Sequence, residues 1–390
     1  MSNSVKSVSS SPSDQVNNQI NLLLTESAMG KEREVNKDSL YLESLARYKE
    51  LKSIGSCLHG DCDSDGLIKP DWFDQKLFDK GKSLGQKYFF SSFFGHLCGV
   101  YVLVQVPSIY QPLLTTGNSR TVASLFARYL STLNHVKIWY DGDVWNPSDP
   151  AHRSIVSVRK GHKLVSSRLN LGKRQGIDTL AISQFDMFLT LWAFVGNTFL
   201  HPQETGFPDD LDTMKAYLHF WRTIGYLLGV QDKYNICNDD NMDRADSMIN
   251  LVWDQEFKPL LIGHLNQNSG QDKGQIMCDS IIEAMRSVLP ILSTSAFIKY
   301  FQEIHSIKST VKLDKTHDKV SYKLMKVTMN NLLPSLIADS IANFYLKRSL
   351  DNCNKNRVKI AKSLEGIGPI NESDKQQVDQ SIDQNPLETI

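Results

Sequence analysis

The sequence predicts an all-α fold, a single large helical domain with globin-like packing, on three observations. Strand-like alternation is scarce, whereas apolar residues recur at spacings of three and four in segment after segment. With 390 residues and 41% hydrophobic content, the chain can bury a large core without disulfide staples. No internal repeat is visible, and no interval separates two domains, so one helical domain is drawn over residues 40–350.

Taken in order, residues 1–39 are rich in Ser, Asn, Gln and Lys and poor in aromatics, which predicts a flexible arm that cannot recover the entropy of ordering. Cys57-Leu-His59-Gly-Asp-Cys62 gathers two thiols and an imidazole, one ligand short of a structural zinc site. Asp61-Cys-Asp63-Ser-Asp65-Gly66 matches the first half of a calcium loop, in which alternating carboxylates wrap the ion. The twelfth position is Trp72 instead of a bidentate Glu, and Pro70 restricts the exit. A polar Asp/Gly turn is therefore expected, with calcium at Asp61, Asp63 and Asp65 the lesser alternative.

Tyr88–Val106 has nearly the length and apolarity of a membrane span, but Ser91, Ser92, His96 and Gln105 interrupt it. A buried core helix ending at Pro107 is expected in preference to a membrane or membrane-surface segment. In Thr121–Leu133, Val122, Leu125, Phe126, Leu130 and Leu133 form one helical stripe. Further helices are expected at Ser154–Leu169, Ile182–Phe199, Leu211–Leu228 and Met277–Val288, and at Val320–Leu346 with a kink near Pro334. Gly263–Gly274 reads as a surface insertion, Lys308–Lys319 as loop, and residues 351–390 as a polar tail.

Lys+Arg 43 against Asp+Glu 43 leaves no global basic field, which argues against nucleic-acid binding. Six dispersed cysteines fit reduced thiols, and the amino-terminal residues lack the apolar core of a signal peptide. The expected location is the cytoplasm, with peripheral contact to an intracellular membrane left open.

Ile155, Val158, His162, Val165 and Leu169 are spaced by three, four, three and four, so His162 lies on the apolar stripe of its helix. A neutral imidazole there could bind a metal or haem iron through one nitrogen while the other is held by a hydrogen bond. Spacing alone favours a satisfied core histidine. One helix upstream, Arg128 and Thr132 stand four apart and project from one side. They form either a polar patch suited to an anionic oxygen ligand or a solvated Arg beside a Thr bonded to its own helix.

Five motifs in order alter that balance. Pro70-Asp-Trp-Phe-Asp-Gln-Lys-Leu-Phe-Asp-Lys-Gly81 is followed by Thr116-Gly-Asn-Ser119 with Arg128-x-x-x-Thr132, and then by Val158-Arg-Lys-Gly-His-Lys-Leu-Val165. Gln184-x-Asp186-x-x-x-Thr190 and Trp221-Arg-Thr-Ile-Gly-Tyr-Leu-Leu-Gly-Val230 complete the series. Together they resemble the rubber oxygenase and ER-bound oxygenase catalytic-domain family.

The resemblance implies a haem b-dependent oxygenase or peroxidase-like enzyme acting with dioxygen on an apolar small molecule. His162 of the Arg-x-x-His motif would be the proximal iron ligand. Arg128 and Thr132 would flank the iron as catalytic residues, and Arg159 and Thr190 would join the cofactor-binding set. The sequence departs from the family pattern at Ser131, where a distal lysine is expected, and at Ser166, where an arginine is expected. It also has no Asp or Glu between Lys80 and Tyr140, the interval in which the family's catalytic glutamate would fall. A haem-binding sensor or storage protein, and a helical interaction module without haem, are the alternatives.

Overall fold

The computed structural model describes residues 38–63, 68–117, 119–266, 273–333 and 335–367. The expected arm falls almost wholly outside these residues, as do Asp65, the middle of the Gly263–Gly274 insertion and the end of the chain. Among the described residues the protein is all-α, with no strand beyond an isolated bridge between His59 and Ser183.

Helix α1 covers 38–55. It is followed by α2 (Gln75–Lys87), α3 (Phe89–Leu103), α4 (Pro107–Thr115), α5 (Val122–Asp141) and α6 (Pro150–Leu169). Next come α7 (Gln184–Leu200), α8 (Pro202–Thr205), α9 (Leu211–Leu227), α10 (Met242–Val252), α11 (Lys258–Asn266) and α12 (Lys273–Met285). The last are α13 (Thr294–Ile304), α14 (Thr316–Val327), α15 (Leu336–Lys355) and α16 (Arg357–Ser363).

Local sequence fixes several starts by satisfying backbone N–H groups that a first helical turn leaves free. Asp74 accepts from Lys76 N and Leu77 N at the start of α2. Thr121 and Ser124 form a capping box on α5, and Ser183 and Asp186 form another on α7. Asp149 caps α6 with Pro150 at the first helical position, where a missing N–H costs nothing.

The core is built around α3 and α7. Every residue of α3 except Val100 is buried, so the apolar stretch expected as a core helix is one. The approach to α7 is close enough to require glycine: a Cβ at Gly99 would lie 1.8 Å from the Ala193 carbonyl oxygen. Likewise α2 lies on α9, with Gly81 leaving room for the Ala216 carbonyl. No single described helix is long and apolar enough to cross a membrane; α3 and α4 pass that test only together, and the chain bends by 94° between them.

Toward the end of the chain the element bounds differ from the spacing-based ones. Helix α14 starts at Thr316, inside the expected loop, and runs into a π-helical turn at Thr328–Leu332. Helix then resumes at Leu336; Pro334 itself lies outside the described residues. Helix α15 passes residue 350, and α16 packs on α5. Leu350 and Cys353 are buried, so anchoring side chains extend into the stretch assigned to the polar tail.

Candidate cofactor site

Helix α6 packs against α5 and touches α9, and on its inner side stands His162. Its Nδ1 is buried and has no hydrogen-bond partner among the described residues. Burial, reinforced by the nearby Arg128 guanidinium and only weakly opposed by Asp61, pushes its pKa down to about 4. The imidazole is therefore neutral near pH 7, which leaves a ring nitrogen able to donate electrons to a metal.

The fold brings Arg128 into electrostatic range of His162, joining two residues that the sequence separates by a helix and a loop. Arg128 is itself desolvated, which lowers its pKa, and its Nη1 reaches the buried Ser119 hydroxyl at 3.4 Å. That contact ties the Thr-Gly turn, where Gly117 takes φ +77°, to α5. Among the described residues no carboxylate forms an ion pair with Arg128. Thr132 is half-buried and donates to the Arg128 carbonyl at 3.2 Å.

The other two site candidates already have strong partners. Arg159 forms a two-pronged ion pair with Asp61, with Nε to Oδ2 at 2.8 Å and Nη2 to Oδ1 at 2.5 Å. Thr190 donates to the Asp186 carbonyl one turn back in α7, at 2.8 Å. Lys163 pairs with Asp63 at the surface. Two of the three carboxylates that resembled a calcium loop, Asp61 and Asp63, thus serve as anchors to α6. Cys57 and Cys62 are free thiols, and no three His, Cys, Asp or Glu side chains among the described residues converge to hold a bare ion.

Those anchors belong to a strap, residues 58–63, which lies beside His162 and which no sequence motif marked as part of the site. His59 Nδ1 meets the Ser166 hydroxyl at 3.4 Å. Gln184 at the start of α7 donates to the carbonyls of His59, Gly60 and Gly229, while its own carbonyl accepts from Gln231 N. Burial raises the Asp61 carboxyl, but the Arg159 guanidinium and the Asp63 N–H more than offset this and hold it below its ordinary value.

Between strap, α6 and α7 lies a pocket of about 330 Å³, within the range of small-molecule sites. Leu58, Ile182, Met187 and Leu228 supply its apolar lining, and His59, His162, Ser166 and Gln175 its polar groups. Of these, Ser166 is the position where an arginine was expected. It bonds His59 and Asn170 instead, and so positions the strap.

Fold and site define an all-α protein in which a neutral histidine lies in electrostatic range of a desolvated arginine on the neighbouring packed helix, beside a strapped pocket. Residues 87–257 match the family model described as ER-bound oxygenase mpaB/B'/Rubber oxygenase, catalytic domain. The matched stretch contains Arg128, Thr132, Arg159, His162 and Thr190, and the resemblance carried by the motifs stands. A solved structure of latex clearing protein in its closed state is similar at 16% identity, covering 80% of this chain and 88% of that one, with a TM-score of 0.43. No curated protein matches the chain.

Proposed function

We propose that the chain is a haem b-dependent, oxygenase-like protein that acts with dioxygen on an apolar small molecule of lipid or isoprenoid type. The observation that carries this reading is His162, a neutral imidazole whose buried Nδ1 has no partner among the described residues, within electrostatic range of Arg128 in the stretch that matches an oxygenase family.

The residues present fit the group. A buried ring nitrogen without a protein partner is a satisfiable site for a metal, and unsatisfied buried polar atoms are uncommon enough to need a cause. His162 would hold the iron, and Arg128 and Thr132 would supply polar groups near it. Haem, when bound, supplies an iron centre at which dioxygen can be reduced in part.

The chain's own residues do the rest. Desolvation keeps His162 unprotonated. Arg128, with no carboxylate partner among the described residues and only a long contact to Ser119, keeps N–H donors available for developing negative charge on oxygen in a low-dielectric site. Arg159 holds Asp61 and so keeps the strap closed, a positioning role, and Thr190 sits three residues beyond Met187, which lines the pocket wall.

A second reading, a haem-binding sensor or storage protein without turnover, draws on a specific feature. No carboxylate occurs between Lys80 and Tyr140, and the pocket's Asp61 and Asp63 are both paired with cations. The experiment that separates the two loads the full chain with hemin and follows dioxygen uptake with product analysis on lipid and isoprenoid substrates. Turnover that drops roughly a hundredfold in Arg128→Ala supports the oxygenase reading. Reversible gas binding without product selects the sensor, and failure to retain hemin contradicts both.

A further inference from the structure

Far along the chain from the His162 pocket, α14 and α15 leave a large apolar surface uncovered. Val320, Leu324 and Val327 on α14, Leu332 in the π turn, and Ile337, Ile341, Phe344 and Tyr345 on α15 are all exposed, Phe344 and Tyr345 by 61% and 66%. Scattered single apolar residues on a surface are ordinary, but eight within 26 residues of chain are a concentration that calls for a partner, and Leu324 of α14 and Tyr345 of α15 border one hollow.

The face opens into a pocket of about 540 Å³, large enough to accept part of an apolar ligand. Leu324 and Tyr345 stand at its mouth, and Phe90, Phe94, Leu292 and Met329 line it more deeply, where they are buried. A half-open, mostly apolar hollow that adjoins exposed apolar side chains can take part of a flexible apolar chain.

Charge decides the kind of surface that fits. Residues 308–348 carry eight Lys and Arg against three Asp and no Glu, in a chain whose formal net charge is zero. Lys319, Lys323 and Arg348 are exposed beside the apolar set; of the three acids, Asp339 is buried, Asp318 accepts from Ser293, and Asp314 alone is exposed, ahead of the start of α14. Glu303, the nearest acid on α13, is engaged by Lys326 and Tyr322. An apolar face edged by cations that form no ion pair among the described residues matches an anionic lipid surface, where acyl chains lie below a layer of negative headgroups.

We propose that α14 and α15 form a lipid-docking face, seated on anionic membranes with the adjoining pocket taking one acyl chain. The inference uses no feature of the His162 site, and its test needs no haem. The full chain is sedimented with vesicles of phosphatidylcholine, with and without phosphatidylserine, and its oligomeric state is measured by light scattering.

The protein is expected to sediment with the phosphatidylserine vesicles and to be released by salt. Affinity should drop roughly thirtyfold in a double variant, Lys319→Gln with Lys323→Gln. Phe344→Asp, at an exposed position that leaves the core intact, should abolish sedimentation while the helical circular dichroism spectrum is unchanged. Absence of wild-type sedimentation overturns the proposal, as does equal binding by the Phe344→Asp protein. So does a wild-type dimer that Phe344→Asp dissociates, because the face would then be the interface between two copies.

Discussion

Helix α3 and helix α15 invert the relation between sequence and surroundings. Phe89–Leu103 is the stretch whose composition comes nearest to a membrane span, yet the fold buries all but one of its residues against α7 and its neighbours. Leu336–Lys355 contains charged and polar residues throughout, yet it presents Ile337, Ile341, Phe344 and Tyr345 to the outside. Linear apolarity reports how much water a segment avoids; whether protein or lipid replaces the water depends on what packs over it. Glycines at 95 and 99 admit α7 onto α3, whereas the outer side of α15 has no such neighbour among the described residues.

Substitution should expose that contrast most strongly. Replacing Gly99 with Val places carbon against the Ala193 backbone, and a loss of more than about 3 kcal/mol, or failure to fold, is expected. Ile341→Ser, at a position that is 51% exposed, should change stability by less than about 0.5 kcal/mol. Urea unfolding of both proteins checks the pair, and equal losses would break the comparison.

A second contrast lies within the strap. Arg159 and Asp61 have side chains only 16% and 10% exposed, and removing the guanidinium by Arg159→Ala leaves a carboxylate without its main partner. A loss of about 2 kcal/mol is expected, along with faster amide exchange across residues 58–63. Lys163 and Asp63 are both exposed, so Lys163→Ala should leave unfolding unchanged within error.

A smaller effect concerns pH. Burial lowers the pKa of His96 to about 3, and its Nε2 lies 3.2 Å from the Tyr217 hydroxyl. Its folded pKa lies below the unfolded value of about 6.5, so below that pH the unfolded chain binds the extra proton. The stabilising contribution of the neutral ring is complete above pH 6.5 and is lost progressively as pH falls toward 3. In protein without haem, His96→Gln should flatten the part of the acid-unfolding curve that this histidine contributes.

Much of this architecture was legible in the sequence, for identifiable reasons. The stripe Val122–Leu133 and the apolar spacings over 154–169 and 182–199 are local, so α5, α6 and α7 emerged near their observed positions, although the Asp149-Pro150 start of α6 lies four residues ahead of the expected Ser154. His162 could be placed on an inner face by spacing, and motif order grouped Arg128 with it, which the fold brings into electrostatic range. The strap could not, because its bonds join residues far apart in the chain, Arg159 to Asp61 and Gln184 to Gly60, and no periodicity records such pairings. The same Asp-rich run read as half of a calcium loop, because the spacing of its carboxylates is indifferent to whether a cation or a guanidinium answers them. The start of α14 was hidden by its polar first turn, Thr316–Lys319, and the exposed side of α15 by a period identical to that of a buried helix.

The proposed function requires that His162 offer its nitrogen to haem iron. Its most direct test is the absorption spectrum of full-length protein after hemin loading and desalting, with wild type beside His162→Ala. A Soret band in wild type that is lost or shifted in the variant is the expected result. A band of equal position and intensity in both proteins would contradict the assignment of His162, and its absence from both would contradict the haem reading itself.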